Sequence, residues 1–221
     1  MPRYYPICLE IANRACLVVG GGAVGLRKAR ALLAHHGRVR VVAAEALPPL
    51  RRLAEKGRII LHERPYRASD LRGIQLVFVA TDDAALNRRI AREARRRRVP
   101  INIADVPALC DFIVPSIVRR GKLIVAVSTE GACPALSKRL RKALEKQFDR
   151  AYGDYVEMLA GLRKRIIART PDSRAAARLL ERLLDEDFLR IIRRKGRRAA
   201  EAHARKWLAA RLDNRPATLR S

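Results

Sequence analysis

Short apolar runs separated by helical periods set the rhythm of the first half of the chain. Ala15–Val19 is a compact apolar strand, Gly20–Gly25 a glycine turn, and Val24–His36 carries Leu26, Ala29, Leu32 and Leu33 at helical spacing. A second strand is predicted at Val39–Ala43. Pro48 and Pro49 then open a helix with Leu50, Leu53 and Ala54 on one face, and Gly57 closes it before a strand at Arg58–His62. Leu76–Ala80 reads as a fourth strand. Thr81, Asp82 and Asp83 offer capping side chains for a helix running to about Arg98, and Val99–Ala104 reads as a fifth strand. Five buried strands alternating with helices predict an α/β, Rossmann-type parallel sheet covered on both faces, with strand order 3-2-1-4-5.

After residue 105 the rhythm changes. Phe112–Val118 and Lys122–Ser128 are strand-like and joined by Arg119-Arg120-Gly121, a hairpin connection, and Pro134 opens a helix over 135–148. From Tyr152 onward the period is helical, with breaks at Thr170-Pro171 and at Gly196. The expected organisation is a Rossmann domain over 1–115, a small α+β segment over 116–150 and a C-terminal helical domain over 151–221.

The composition sharpens this picture only in part. The 221 residues are 49% hydrophobic, enough for a substantial core, and 48 bases stand against 22 acids for a formal net charge of +26. That excess is spread along both halves rather than gathered in a tail, which argues against a histone-like arm. It leaves three readings: a polyanionic partner, a polycarboxylate or phosphate ligand, or an arginine-rich solvated surface. Aromatic residues make up only 5% of the chain, so stacking platforms for single-stranded nucleic acid are scarce. Cys8, Cys16, Cys110 and Cys133 match no zinc, haem or thioredoxin spacing and read as reduced thiols. With no signal-peptide pattern and no apolar run long enough to span a bilayer, a cytoplasmic protein is expected, outside any membrane. His35, His36, His62 and His203 show no metal spacing, so no protein-held metal is expected.

Chemistry enters at two places. Gly20, Gly22 and Gly25 satisfy G-x-G-x-x-G directly after a strand and at the opening of a helix. Their expected jobs are a tight turn, close approach of backbone to a pyrophosphate, and close helix–strand packing. Glu45 lies in the window where a dinucleotide-binding fold places the acid that takes the ribose hydroxyls of NAD. Asp105 ends the fifth strand at the carboxyl edge of the sheet, where it serves either as a general base or as a cap of the loop before Pro107.

The stretches Cys16–Ala29 (CLVVGGGAVGLRKA), Ala80–Asp83 (ATDD), Asn87, Asn102–Asp105 (NIAD), Phe112–Ser116 (FIVPS) and Ala126–Gly131 (AVSTEG) together resemble, in order and spacing, the precorrin-2 dehydrogenase / sirohydrochlorin ferrochelatase family. This is the family of the N-terminal half of siroheme synthase, and the likeness runs from about Tyr5 to Phe148. The resemblance implies an enzyme that oxidises precorrin-2 to sirohydrochlorin with NAD, in siroheme or cobalamin biosynthesis. Some members also insert ferrous ion into sirohydrochlorin. It gives Asp105 the role of the essential aspartate, and assigns nucleotide contacts to Ala23 and Val24 in the turn, to Ala44 and Glu45 after the second strand, and to Thr81 after the fourth. It also implies a homodimer built through residues from Ser116 to about Phe148, with the last helices closing over the tetrapyrrole. The competing reading is an NAD-sensing Rossmann module whose basic helical tail binds nucleic acid or a partner.

Overall fold

Strands that must be buried on both faces need apolar side chains at successive positions, and the sheet uses them in alternation. A computed structural model describes residues 4–184 and 187–212. Residues 213–221 of the expected helical domain therefore lie outside the described residues. The five-stranded parallel sheet comprises β1 (Ala15–Val19), β2 (Arg38–Ala43), β3 (Ile59–Glu63), β4 (Leu76–Val79) and β5 (Ile101–Ile103), in the order β3-β2-β1-β4-β5. Helices α1 (Ala23–Ala34), α2 (Pro48–Glu55) and α3 (Ala84–Arg96) connect them. Leu17 and Val19 of β1 join Val77, Val79, Ile101 and Ile103 in one apolar cluster, with Ile90, Ala91 and Ala94 of α3. Cys16 and Val18 face the opposite way and join Val39, Val41, Leu76 and Phe78, with Ala29 and Leu32 of α1 and Leu50 of α2. This two-sided burial is why the strands read as continuous apolar runs.

Two strands begin later than the sequence predicts, and one residue does the capping that three offered. Strand β5 is confined to Ile101–Ile103 because Arg98, at φ 55°, still belongs to the turn after α3. The strand expected over Phe112–Val118 begins only at Ser116. Phe112 does not join it: its carbonyl accepts a hydrogen bond from the Asn102 side chain (3.0 Å), and its ring meets Phe78 edge-on at 5.4 Å. Asp83 alone caps α3, accepting from the N–H groups of Ala85 and Leu86 at 2.8 and 2.9 Å.

The chain divides into two compact units between Val114 and Pro115. The second unit holds an antiparallel hairpin, β6 (Ser116–Arg120) and β7 (Leu123–Val127), and the helices α4 (Pro134–Gln147), α5 (Ala151–Arg169), α6 (Ser173–Leu184) and α7 (Phe188–Leu212). Thr170 ends α5, and Gly196 interrupts α7 at φ 80°, ψ 169°, outside helical space. Met158, Leu162 and Ile166 of α5 pack with Leu183, Phe188, Ile192, Trp207 and Leu208. Among the described residues no helix is long and apolar enough to cross a membrane.

Candidate functional site

All the residues singled out for chemistry lie just beyond the carboxyl ends of strands of the first unit. Gly20–Gly25 follows β1, Ala44 and Glu45 follow β2, Thr81 follows β4, and Asp105 follows β5. In an open α/β sheet this edge carries the ligand crevice.

The turn after β1 is nested so tightly that three of its glycines are required by the protein itself. Gly20 stands at φ 117°, and a Cβ there would lie 2.1 Å from the carbonyl oxygen of Ala80 at the end of β4. At Gly25, a Cβ would lie 2.0 Å from the Gly20 oxygen, which is the close helix–strand packing expected. Gly21, a free position in the motif, would place its Cβ 2.0 Å from the Glu45 oxygen after β2. The sequence pattern could not single it out, because the crowding comes from another strand.

Gly22 differs from all three. Its φ of −79° suits any residue, and nothing lies within 4 Å of a Cβ built there. It is the N-cap of α1, yet no side chain caps that helix and its first turn holds no acid. Both facts leave the N–H groups of the first turn, with Ala23 exposed and Val24 half-buried, open to an anion. An open space at a glycine that the fold does not need fits a pyrophosphate approaching the backbone.

Thr81 is fixed in place by Asn87: its hydroxyl donates to Asn87 Oδ1 (2.7 Å), and Asn87 Nδ2 donates back to the Thr81 carbonyl (3.0 Å). Ala44 and Glu45 are exposed. Arg51 is held by Glu63 through hydrogen bonds of 2.9 and 2.7 Å, which with the Glu63 charge raise its pKa, and Glu45 adds the smallest share. Asp105 is exposed and takes a left-handed backbone conformation at φ 58°. The loop it heads turns through Pro107–Leu109.

Two residues beside Asp105 escaped sequence reasoning as site residues. Lys28, one turn into α1, reaches across to Asn102 Oδ1 at 3.3 Å and lies 4.9 Å from the centre of the Phe78 ring. Burial lowers its pKa, with Arg27 adding to the effect, while Cys110 and Asp105 pull it back up. Cys110 is buried, and its sulfur contacts the backbone on both sides of Asp105. Neither the lysine of R-K-A nor a lone thiol has a spacing that foretells such a role. All four cysteines are free, Cys16 and Cys110 buried, Cys8 and Cys133 exposed. Among the described residues no group of three His, Cys, Asp or Glu could hold a metal ion.

The family described as "Putative NAD(P)-binding" matches residues 7–116, which supports a nicotinamide cofactor in the first unit. Siroheme synthase of Methylococcus capsulatus is 41% identical over 182 residues, covering 82% of this chain and 38% of that protein. Siroheme synthase of Thioalkalivibrio sulfidiphilus is 37% identical over 214 residues, covering 97% of this chain and 44% of that protein. The chain thus spans less than half the length of these curated relatives. Among solved structures, one described as "SirC, precorrin-2 dehydrogenase" superposes with a TM-score of 0.75 at 25% identity, over 92% of this chain and 100% of that one.

Proposed function

Because this chain belongs to the precorrin-2 dehydrogenase / sirohydrochlorin ferrochelatase family, the family of the N-terminal half of siroheme synthase, we propose that it oxidises precorrin-2 to sirohydrochlorin with NAD. The observation that carries the reading is the pairing, on one edge of one sheet, of an uncapped helix N-terminus at Gly22 with the exposed carboxylate of Asp105. When bound, the nicotinamide ring supplies the hydride acceptor. Gly22, Ala23 and Val24 present backbone N–H groups to the pyrophosphate, while Thr81, locked by Asn87, lines the end of β4. Oxidation of the reduced tetrapyrrole releases a hydride and a proton, and Asp105 takes the proton as general base.

The preference for NAD over NADP is assigned to Glu45, whose carboxylate would accept from ribose hydroxyls and repel a 2′-phosphate. The nearby Arg51 is already engaged by Glu63 and so is poorly placed to bind that phosphate. The peripheral carboxylates of the tetrapyrrole give part of the arginine surplus a role in steering and holding substrate. Ferrous ion as a further substrate is carried by the family, and a cytoplasmic location by the sequence pattern.

A homodimer is proposed through the hairpin and α4. Ile117 and Ile124 turn outward from β6 and β7, and Leu136 and Leu140 of α4 are also exposed, an apolar set that a monomer would leave in water.

The test of the catalytic reading is Asp105→Asn under anaerobic conditions, with precorrin-2 and NAD supplied and sirohydrochlorin followed by its absorbance. NAD affinity should stay as in the wild type while kcat falls by roughly a hundredfold or more. Undiminished sirohydrochlorin formation by the variant would overturn the role of Asp105.

A further inference from the structure

Strand β5 lies at the edge of the sheet, so the backbone groups on its outer side have no neighbouring strand. Residues 110–111 supply their partners instead. Asp111 N–H donates to the Ile101 carbonyl (2.9 Å), and Asp111 Oδ2 accepts from Ile101 N–H (3.1 Å). At Ile103 the same service falls to a thiol: Cys110 Sγ accepts from Ile103 N–H (3.1 Å). Its single S–H donates to the carbonyl of Ile103 (3.3 Å) or to that of Val106 (3.4 Å).

Ile103 and Val106 bracket Asp105, the residue that steps into the left-handed region. For an aspartate that step is accessible but not preferred, so the conformation persists only if the flanking backbone is held. The Cys110 thiol contacts the backbone on both flanks. A second link runs through Asn102, whose Nδ2 donates to Phe112 O and lies 3.7 Å from Cys110 Sγ. Its Oδ1 accepts from Lys28, on the helix that opens the glycine turn. One connected set of hydrogen bonds therefore runs from α1 to the backbone that carries the carboxylate.

We propose that Cys110 is a positioning residue for Asp105, fixing the carboxylate against the cofactor turn through the backbone of Ile103 and Val106, with Asn102 and Lys28 tying that backbone to α1. This rests on Asp105 being the base of the proposed dehydrogenation. Cys110 itself is buried, and its effect passes through the backbone.

The variants Cys110→Ala and Cys110→Ser separate this role from packing. Alanine removes both the acceptor for Ile103 N–H and the donor, whereas serine keeps both on a slightly shorter arm. In the anaerobic sirohydrochlorin assay, the alanine variant should keep the wild-type NAD affinity and KM while kcat falls on the order of a hundredfold, the cost of a small misplacement of a catalytic group. Serine should recover most of that loss. Hydrogen exchange at the amides of 103–106 should quicken in the alanine variant and return towards wild type in the serine variant. Wild-type kcat in Cys110→Ala, or a kcat loss that serine does not recover, overturns the proposal. If the wild-type protein does not oxidise precorrin-2, the functional reading fails by itself. The exchange data then decide the positioning role: unchanged exchange at 103–106 in Cys110→Ala overturns it, and faster exchange restored by serine supports it.

Discussion

The glycine turn of the sheet unit and the long helices of the second unit tolerate added atoms in opposite ways. In the sheet unit, backbones of different strands come so close that Gly20, Gly21 and Gly25 each exclude a single added carbon atom, and the buried polar groups Asp70, Asn87 and Asn102 are all hydrogen-bonded. In the helical unit, side chains such as Met158, Leu162, Ile166, Phe188 and Trp207 make the core, and nothing lies within 4 Å of a Cβ built on Gly161 or Gly196. The hairpin of that unit keeps isoleucines facing outward. Close tolerance thus coincides with the turn proposed to grip the cofactor, and the open glycines with the unit whose hairpin is proposed to meet a second copy.

A pair of glycine substitutions tests this contrast most severely. Gly25→Ala forces a Cβ against the Gly20 carbonyl and should cost the sheet unit roughly 3 kcal/mol or more, read as a lowered urea midpoint. Gly161→Ala, inside α5 with open space around it, should instead stabilise the helical unit by about 0.5–1 kcal/mol. Gly22→Ala belongs with neither: the fold should accept it, and NAD affinity alone should drop, by about tenfold. Equal destabilisation by Gly25→Ala and Gly161→Ala would erase the distinction between the units.

The same contrast explains what could be read from sequence. The strand order and the limits of β1 were legible because apolar runs and glycine breaks coincide there, and Thr170 and Gly196 were legible as breaks in a helical period. Phe112–Pro115 was misleading: its apolar run looks like a strand, but a side chain 10 positions earlier claims its backbone carbonyl. Gly21, Lys28 and Cys110 were hidden for a related reason. Each matters through a contact with a distant segment, the Glu45 carbonyl, the Asn102 amide and the Ile103 backbone, and no local spacing records such contacts.

A smaller effect is expected at the outward face of the hairpin. If Ile117 and Ile124 with Leu136 and Leu140 form the proposed dimer contact, Ile124→Asp should weaken self-association by at least about tenfold while leaving the monomer folded. Light scattering over a dilution series would show the shift. A wild-type chain that is already monomeric at micromolar concentration removes the dimer, and an aspartate variant that dimerises as before moves the contact elsewhere.

The smallest difference lies in the ion pairs. In the sheet unit, Asp70 is almost wholly buried and accepts two hydrogen bonds from Arg64, at 2.9 and 2.6 Å, and one from the Arg67 N–H at 2.8 Å. The Arg64 guanidinium holds the Asp70 carboxyl below its usual range against the opposing pull of burial, with the Arg67 N–H assisting. A depressed folded pKa contributes stability that is complete above the unfolded value of about 4 and is lost as the pH falls through the folded value. In the helical unit the pairs Arg193–Asp149 and Arg197–Glu201 are well exposed, where water and salt screen them and the entropy of holding two long side chains offsets most of the attraction. Acidification below pH ~4 should therefore cost the sheet unit about 1–2 kcal/mol more than the helical unit. Asp70→Asn should incur that loss at neutral pH and flatten the acid dependence. The single tryptophan, Trp207, lies in the helical core and reports that unit by fluorescence, while hydrogen exchange along β1 and β4 reports the other. Acid losses that run in parallel in the two units, or an unchanged acid profile in Asp70→Asn, would place the difference somewhere other than this buried carboxylate.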